Sequence, residues 1–185
     1  MQDFINTYCG ISFYPLNPQP EDVHIEDIAH ALSHMTRANG HLRIFFSVAQ
    51  HCINCMREAE VREFPLRIQF ACLLHDASEA YLSDITRPVK HHLREYLSIE
   101  KRLQDAIYAR FGLMPLTDEE RAMIDDIDDT MLYQEFYQIE GVCLFAKELP
   151  CQSHPDFLER PFSEVKQEFL RQFKRLEAAL AHHVT

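Results

Sequence analysis

Glycine is scarce in this 185-residue chain: four are present, where average usage of about 7% would give about 13. A shortage that large argues against turn-rich sandwiches, barrels and glycine-looped dinucleotide folds, and leaves a mostly helical domain as the expectation. Basic residues are few as well, with 18 Lys and Arg against 29 Asp and Glu, a formal charge of -11 with histidine neutral. Neutralising a nucleic-acid backbone needs a basic face, so the balance speaks against nucleic-acid coating; a small phosphorylated ligand needs only a local cation. No segment approaches the roughly 18 consecutive apolar residues of a membrane helix, and Met1-Gln2-Asp3-Phe4 does not open a basic-then-apolar leader. The expectation is a cytoplasmic protein with no membrane partner.

What is present suits one domain, which at this size buries roughly 70% of its unfolded surface and needs neither disulfide nor metal to fold. Cys9, Cys52, Cys55, Cys72, Cys143 and Cys151 then read as small core hydrophobes of a reducing compartment. Cys52 and Cys55 form a C-x-x-C, but no second pair follows at zinc-ribbon spacing and no βαβ pattern surrounds it.

Residues 1–24, punctuated by Pro15, Pro18 and Pro20, form an irregular arm expected to wrap over the core. Apolar spacing predicts helices over roughly 25–37, 46–61 and from Pro65 to His75-Asp76, then a fourth from Leu93 to Gly112. Thr117-x-x-Glu120 is a capping box opening a fifth helix, roughly 118–140. Pro150, Pro155 and Pro161 break the chain before a last helix capped by Ser163. Its stripe of Val165, Phe169, Phe173, Leu176 and Leu180 would close the core or serve a second protomer.

Three polar positions interrupt these apolar faces. On the fifth helix Ile124, Ile127, Met131, Leu132 and Ile139 define a stripe with Asp128 at its middle. Asp125 lies about 60° away on the wheel and is the alternative. Solvation near a positive helix end explains Asp125, Asp126 and Asp129 well and Asp128 poorly. On the second helix His51 edges the Val48 and Cys55 face; alone, it fits a core histidine satisfied by a hydrogen bond better than a ligand. His75-Asp76 ends a core helix. Two His and two Asp together suit one divalent ion such as Mn, Co, Fe, Zn or Mg, mixing imidazole with hard carboxylates.

These residues carry a resemblance. Ser47-Val-Ala-Gln-His51, then Leu73-Leu-His75-Asp76-Ala-Ser-Glu79-Ala-Tyr-Leu-Ser-Asp84-Ile-Thr-Arg87-Pro88-Val-Lys90, then Asp128 with Glu135 seven residues on, resemble the H…HD…D signature of the HD-domain metal-dependent phosphohydrolase superfamily. The likeness covers roughly residues 25–140, with 141–185 as loop and final helix. It implies an all-α HD-domain bundle of about six main helices around a five-helix core. The nearest members it points to are small 5'-deoxynucleotidases and phage or bacterial deoxynucleoside triphosphate hydrolases.

The resemblance implies His51, His75, Asp76 and Asp128 as metal ligands, Glu79 as the acid handling a proton, and Asp84 as a second site acid. Glu79 also stands i+3 and i+4 from Asp76 and His75, on the metal side. Asp84 alone would serve equally as a turn residue. Arg37 corresponds to the phosphate-binding arginine of the nucleotidases; Arg43, Arg87, Lys90 and His41 are further phosphate candidates, each otherwise an ordinary surface charge. His91-His92 falls in the wrong place for a second metal, so one ion is expected. The expected activity is attack of water on the α-phosphorus of a deoxynucleoside 5'-monophosphate or triphosphate. The alternatives are a non-catalytic metal- or nucleotide-binding module, a hydrolase of another small phosphoester, and, on one motif only, a thiol-based regulator using Cys52 and Cys55. A homo-oligomer is expected.

Overall fold

The structure, a computed structural model, describes residues 3–183. The chain is all-α apart from one small hairpin. The α-helices are α1 (Ile25–His34), α2 (Val48–Val61), α3 (Leu66–Leu74), α4 (Glu79–Leu82), α5 (Arg87–Lys90), α6 (Arg94–Arg110), α7 (Asp118–Glu135) and α8 (Phe162–His183). No helix among the described residues is long and apolar enough to cross a membrane.

Helix α2 is central, with α1, α3, α7 and α8 packed against it. Ser47 starts it with a capping box: its hydroxyl accepts from the Gln50 amide at 3.2 Å, and the Gln50 carboxamide oxygen accepts from the Ser47 amide at 3.3 Å. Thr117 and Glu120 do the same at the start of α7, as their spacing predicted. Satisfying these first-turn amides fixes where each helix begins, and so which residues face the core.

The arm is ordered over the core, with Phe13 and Val23 buried. The antiparallel pair β1 (Ile5–Asn6) and β2 (Ser12–Phe13) within it was not expected; two-residue strands leave no readable alternation. The α8 stripe closes the core: Val165, Phe169, Phe173 and Leu176 are buried and Leu180 packs against them. It therefore gives no support to a second protomer.

Four boundaries differ from expectation; α8 begins at Phe162, so Ser163 lies inside the helix it was expected to cap. Helix α1 ends at His34, where Met35 (φ -88°, ψ 125°) and Thr36 turn extended and Thr36 bridges to Ser47; Ala38 and Asn39 (both φ 52°) then turn the chain left-handed before Gly40. Helix α7 ends at Glu135 and passes into a π turn, Phe136–Glu140, which Gly141 closes at φ 70°. Helix α3 stops at Leu74, so His75 and Asp76 lie in the turn after it and two short helices, α4 and α5, occupy the next stretch. The turn still carries Glu79 close to the HD pair, with the Glu79 amide donating to the Asp76 carbonyl at 3.0 Å.

Candidate metal centre

Three elements bring the four expected ligands together: α2 supplies His51, the turn after α3 supplies His75 and Asp76, and α7 supplies Asp128. Nε2 of His51 lies 3.1 Å from Nε2 of His75, 3.0 Å from Oδ1 of Asp128 and 3.7 Å from Oδ2 of Asp76. Nε2 of His75 lies 3.4 Å from Asp76 Oδ2 and 3.7 Å from Asp128 Oδ1. Donors held about 2.0–2.2 Å from one ion stand about 3–3.5 Å apart; three of these five separations lie in that range and the other two, both 3.7 Å, lie just beyond it.

The hydrogen bonds behind the imidazoles sharpen this. Nδ1 of His75 is 2.8 Å from the Cys72 carbonyl, and Nδ1 of His51 is 2.5 Å from Oε1 of Glu135. A carbonyl and a carboxylate accept, so each Nδ1 carries a proton and each ring turns its Nε2 toward the other. Were both rings neutral, their lone pairs 3.1 Å apart beside two carboxylates would repel; a cation or an additional proton on each ring removes the conflict. The protonation balance agrees: burial disfavours charge on both rings, yet the neighbouring carboxylates and thiols outweigh it and hold both histidines well above the usual range. Burial likewise opposes ionisation of Asp128, and the His51 and His75 hydrogen bonds overcome it, holding its carboxyl well below the usual range.

Around this cluster, buried Arg37 donates through Nη1 to Asp76 Oδ2 (3.3 Å) and through Nε to Glu135 Oε2 (3.4 Å). Its backbone sits in the left-handed turn pinned by the Arg37 amide to the Phe46 carbonyl, 2.8 Å. Glu79 is buried, and among the described residues its Oε2 has no hydrogen-bond partner. Burial, then Asp76 and Asp84, push the Glu79 carboxyl well above its ordinary value; burial, against Arg37, raises Asp84 too. Lys90 reaches Glu79 at 3.6 Å and Glu100 at 2.8 Å. Arg87 pairs with Asp128 at 3.0 Å and Asp129 at 2.5 Å.

Two cavities meet at the cluster, sharing Asp76, Lys90 and Asp128. One, of about 380 Å³, is lined by Arg37, His41, Glu79, Asp84, Arg87 and the apolar Ile85, Pro88, Leu132, Phe136 and Leu144. The other, of about 440 Å³, runs along α6 and α7 past Lys101, Asp105 and Arg121. Asp125 lines only the second cavity and makes no ligand-distance approach to either histidine, so Asp128 holds the inward register. Arg43 does not join the site: its side chain is 73% exposed, drawn 3.1 Å from Glu140, and it lines neither cavity.

Two features noted in the sequence take a place at the cluster that was not assigned to them there. Glu135 orients His51 and anchors Arg37; its signal was its position two turns beyond Asp128 on one face of α7. The other is the thiols: Cys55 with His51 and His75, and Cys52 with His75 and Asp76, form groups whose donor atoms lie within 4.8 Å of one another.

No family model matches the chain. Over 113 residues it is 39% identical to the uncharacterized protein YfdR of Escherichia coli K12, covering 61% of each chain. Over 104 residues it is 40% identical to an uncharacterized protein of Rhodobacter capsulatus, covering 53% of each. The matched segments thus span little more than half of these relatives' length, and neither name states an activity.

Proposed function

We propose that this chain is an HD-type, metal-dependent phosphohydrolase of small nucleotides, with a deoxynucleoside 5'-monophosphate as its substrate class. The observation that carries this reading is the convergence of the His51 and His75 Nε2 atoms on each other and on two carboxylates, next to a buried acid with one unpartnered oxygen and a buried arginine. A merely structural cage has no need of Glu79 or of Arg37 at its rim. A divalent ion held by His51, His75, Asp76 and Asp128 would supply charge neutralisation at the phosphoryl oxygen and a bound water of lowered pKa.

The chain's own residues do the rest. Arg37 presents a guanidinium to phosphate, with Arg87 and Lys90 on the same cavity wall. Glu79, whose carboxyl burial and the neighbouring Asp76 and Asp84 push well above its ordinary value, is the acid suited to give a proton to the leaving 5'-oxygen. Asp84, on the wall of the same cavity, offers an acceptor to a sugar hydroxyl, while the apolar Ile85, Leu132 and Phe136 offer a face to a base.

The cavity along α6 supports the smaller phosphate load. The cations that line it alone are already engaged: Lys101 and Arg121 both pair with Asp105. A triphosphate tail directed there would have to break these pairs among several acids.

The test is to measure bound metal and then phosphate release from deoxy- and ribonucleotides with Mn, Co and Mg, scoring triphosphate release in parallel. Hydrolysis is expected from monophosphates, with loss in His75→Ala and Asp76→Ala. Activity that survives either change would refute the reading. Asp128→Ala should lose metal and Asp125→Ala should keep it.

A further inference from the structure

The C-x-x-C of α2 plays no part in the chemistry above, yet its thiols lie against the ligand imidazoles. Sγ of Cys55 is 3.5 Å from Nε2 and 3.9 Å from Nδ1 of His51, hence over the face of the ring. The Cys55 sulfur and the ring nitrogens of His51 and His75 lie within 4.8 Å of one another, and all three side chains are buried or nearly so. Both thiols of the motif are free.

We propose that the centre holds a second donor set, His51, His75 and Cys55, which captures a thiophilic divalent cation such as Cd²⁺ or Zn²⁺ and so blocks hydrolysis. The donor set rests on the converging imidazoles; only the block rests on the phosphohydrolase reading.

Three physical points carry it. Nitrogen at about 2.0–2.1 Å and sulfur at about 2.3 Å from a tetrahedral ion stand about 3.5 Å apart, the separation found between Cys55 Sγ and His51 Nε2. The sulfur lies over the ring, so capture takes a rotation about Cα–Cβ of Cys55 toward the Nε2 edge, with α2 unmoved. Next, thiolate with imidazole favours soft and borderline ions, whereas the Asp76 and Asp128 carboxylates favour hard ones, so the choice of ion selects the donor set. Last, the displaced carboxylates keep cationic partners, Asp76 with Arg37 at 3.3 Å and Asp128 with Arg87 at 3.0 Å. The step is a ligand exchange without electron transfer. The Cys55 S–H bond breaks, a sulfur–metal bond forms, and the proton passes to water.

The experiment uses chelator-stripped full-length protein with the exposed thiols removed, Cys9→Ser and Cys143→Ser, titrated near neutral pH with CdCl₂. Thiolate-to-cadmium charge-transfer absorption and proton release are followed, and Mn²⁺ binding is measured separately by calorimetry. The expected result is a band saturating at one ion per chain, abolished in both Cys55→Ser and Cys55→Ala. Cd²⁺ affinity should fall there by at least the roughly 10–100-fold that loss of an outer-shell partner costs, with Mn²⁺ binding unchanged as proof of an intact fold. A band that survives both variants, or none in the parent while Mn²⁺ binds, overturns the donor set. Cd²⁺ inhibition equal in parent and Cys55→Ser overturns the block. Failure of the parent to bind Mn²⁺ counts against the proposed function instead, and the Cd²⁺ band still decides the donor set.

Discussion

Gln50, Asn54 and Glu58 lie a turn apart along one stripe of α2, and His51 and Cys55 lie a turn apart along the next. All five side chains are buried, but their partners differ in kind. The first stripe is met by the backbone of the loop after α7: Gln50 Nε2 donates to the Leu158 carbonyl at 2.9 Å and Asn54 Nδ2 to the Asp156 carbonyl at 3.0 Å. Glu58 accepts from the amides of Gln152 (2.9 Å) and Ser153 (2.8 Å) and from Arg62 Nε (2.7 Å). The second stripe faces other side chains, a ring nitrogen against a ring nitrogen and carboxylates. Burial alone therefore does not separate structural from functional polar groups. A backbone partner completes the group's hydrogen bonding and fixes the chain, whereas convergent side chains of like character leave a deficit that a ligand can fill.

The two buried glutamates, Glu79 beside the site and Glu58 on the loop side, are the sharpest way to break this comparison. Glu79→Gln is expected to lower hydrolysis by about 10²–10⁴ fold, as loss of a general acid does, with metal content unchanged. Its stability should not fall at neutral pH, because a carboxyl raised above its ordinary 4.5 makes the folded state pay for ionisation as pH rises past that value. Glu58→Gln should do the reverse, retaining activity and losing about 2–3 kcal/mol in urea unfolding, since amides and Arg62 are left facing a neutral group. Burial opposes the Glu58 charge, but hydrogen bonds from Ser153, Gln152 and Arg62 prevail and lower its pKa below the ordinary 4.5. Its contribution is therefore complete above that value and fades as pH falls through the lower folded value. The parent should lose stability on acidification below about 4.5 more steeply than Glu58→Gln. Equal acid limbs would show that Glu58 is no anchor.

Glu135 tests the boundary between the two kinds of partner, because it is buried like Glu58 yet serves the site. Glu135→Gln keeps an oxygen to accept from His51 Nδ1 but loses the charge shared with Arg37. Metal affinity should fall about 10–100-fold, measured by competition with a chelating dye. An unchanged affinity would move Glu135 to the structural side.

The same contrast explains what the sequence made legible. His51, Asp128 and the HD pair stood out because apolar spacing makes an inward charge conspicuous, and the capping boxes at Ser47 and Thr117 reveal helix starts through local chemistry. Glu58 was not legible as an anchor, because its partners are backbone amides about 95 residues away, which no residue type announces. The thiols were read as core residues since C-x-x-C on a helix says nothing of a histidine 20 residues beyond Cys55. Arg43 was misplaced for a related reason: its partner Glu140 sits on a π turn that helical spacing did not foresee. Local patterns carry the elements and their inward faces; long-range pairing of charges decides which arginine enters the site.

The smallest expected effect extends the comparison to the backbone. On the site side Ala38, Asn39 and Ser83 hold positive φ, while among the described residues of the 142–161 loop none does. Ser83, at φ 83° and ψ 152°, occupies a region essentially restricted to glycine. It is held there by its amide on the Glu79 carbonyl (2.8 Å) and by Tyr96 Oη donating to its carbonyl (2.9 Å). Strain of about 1–3 kcal/mol per such residue, less the extra entropy that glycine gives the unfolded chain, about 0.4–1 kcal/mol, leaves Ser83→Gly more stable by about 1 kcal/mol. Because the strained residue aims the next one, Asp84, the relief should come with weaker substrate binding, read as a higher KM with metal affinity unchanged. A variant that gained stability with KM unaltered would show that the strain at Ser83 closes the α4 turn and does not position Asp84.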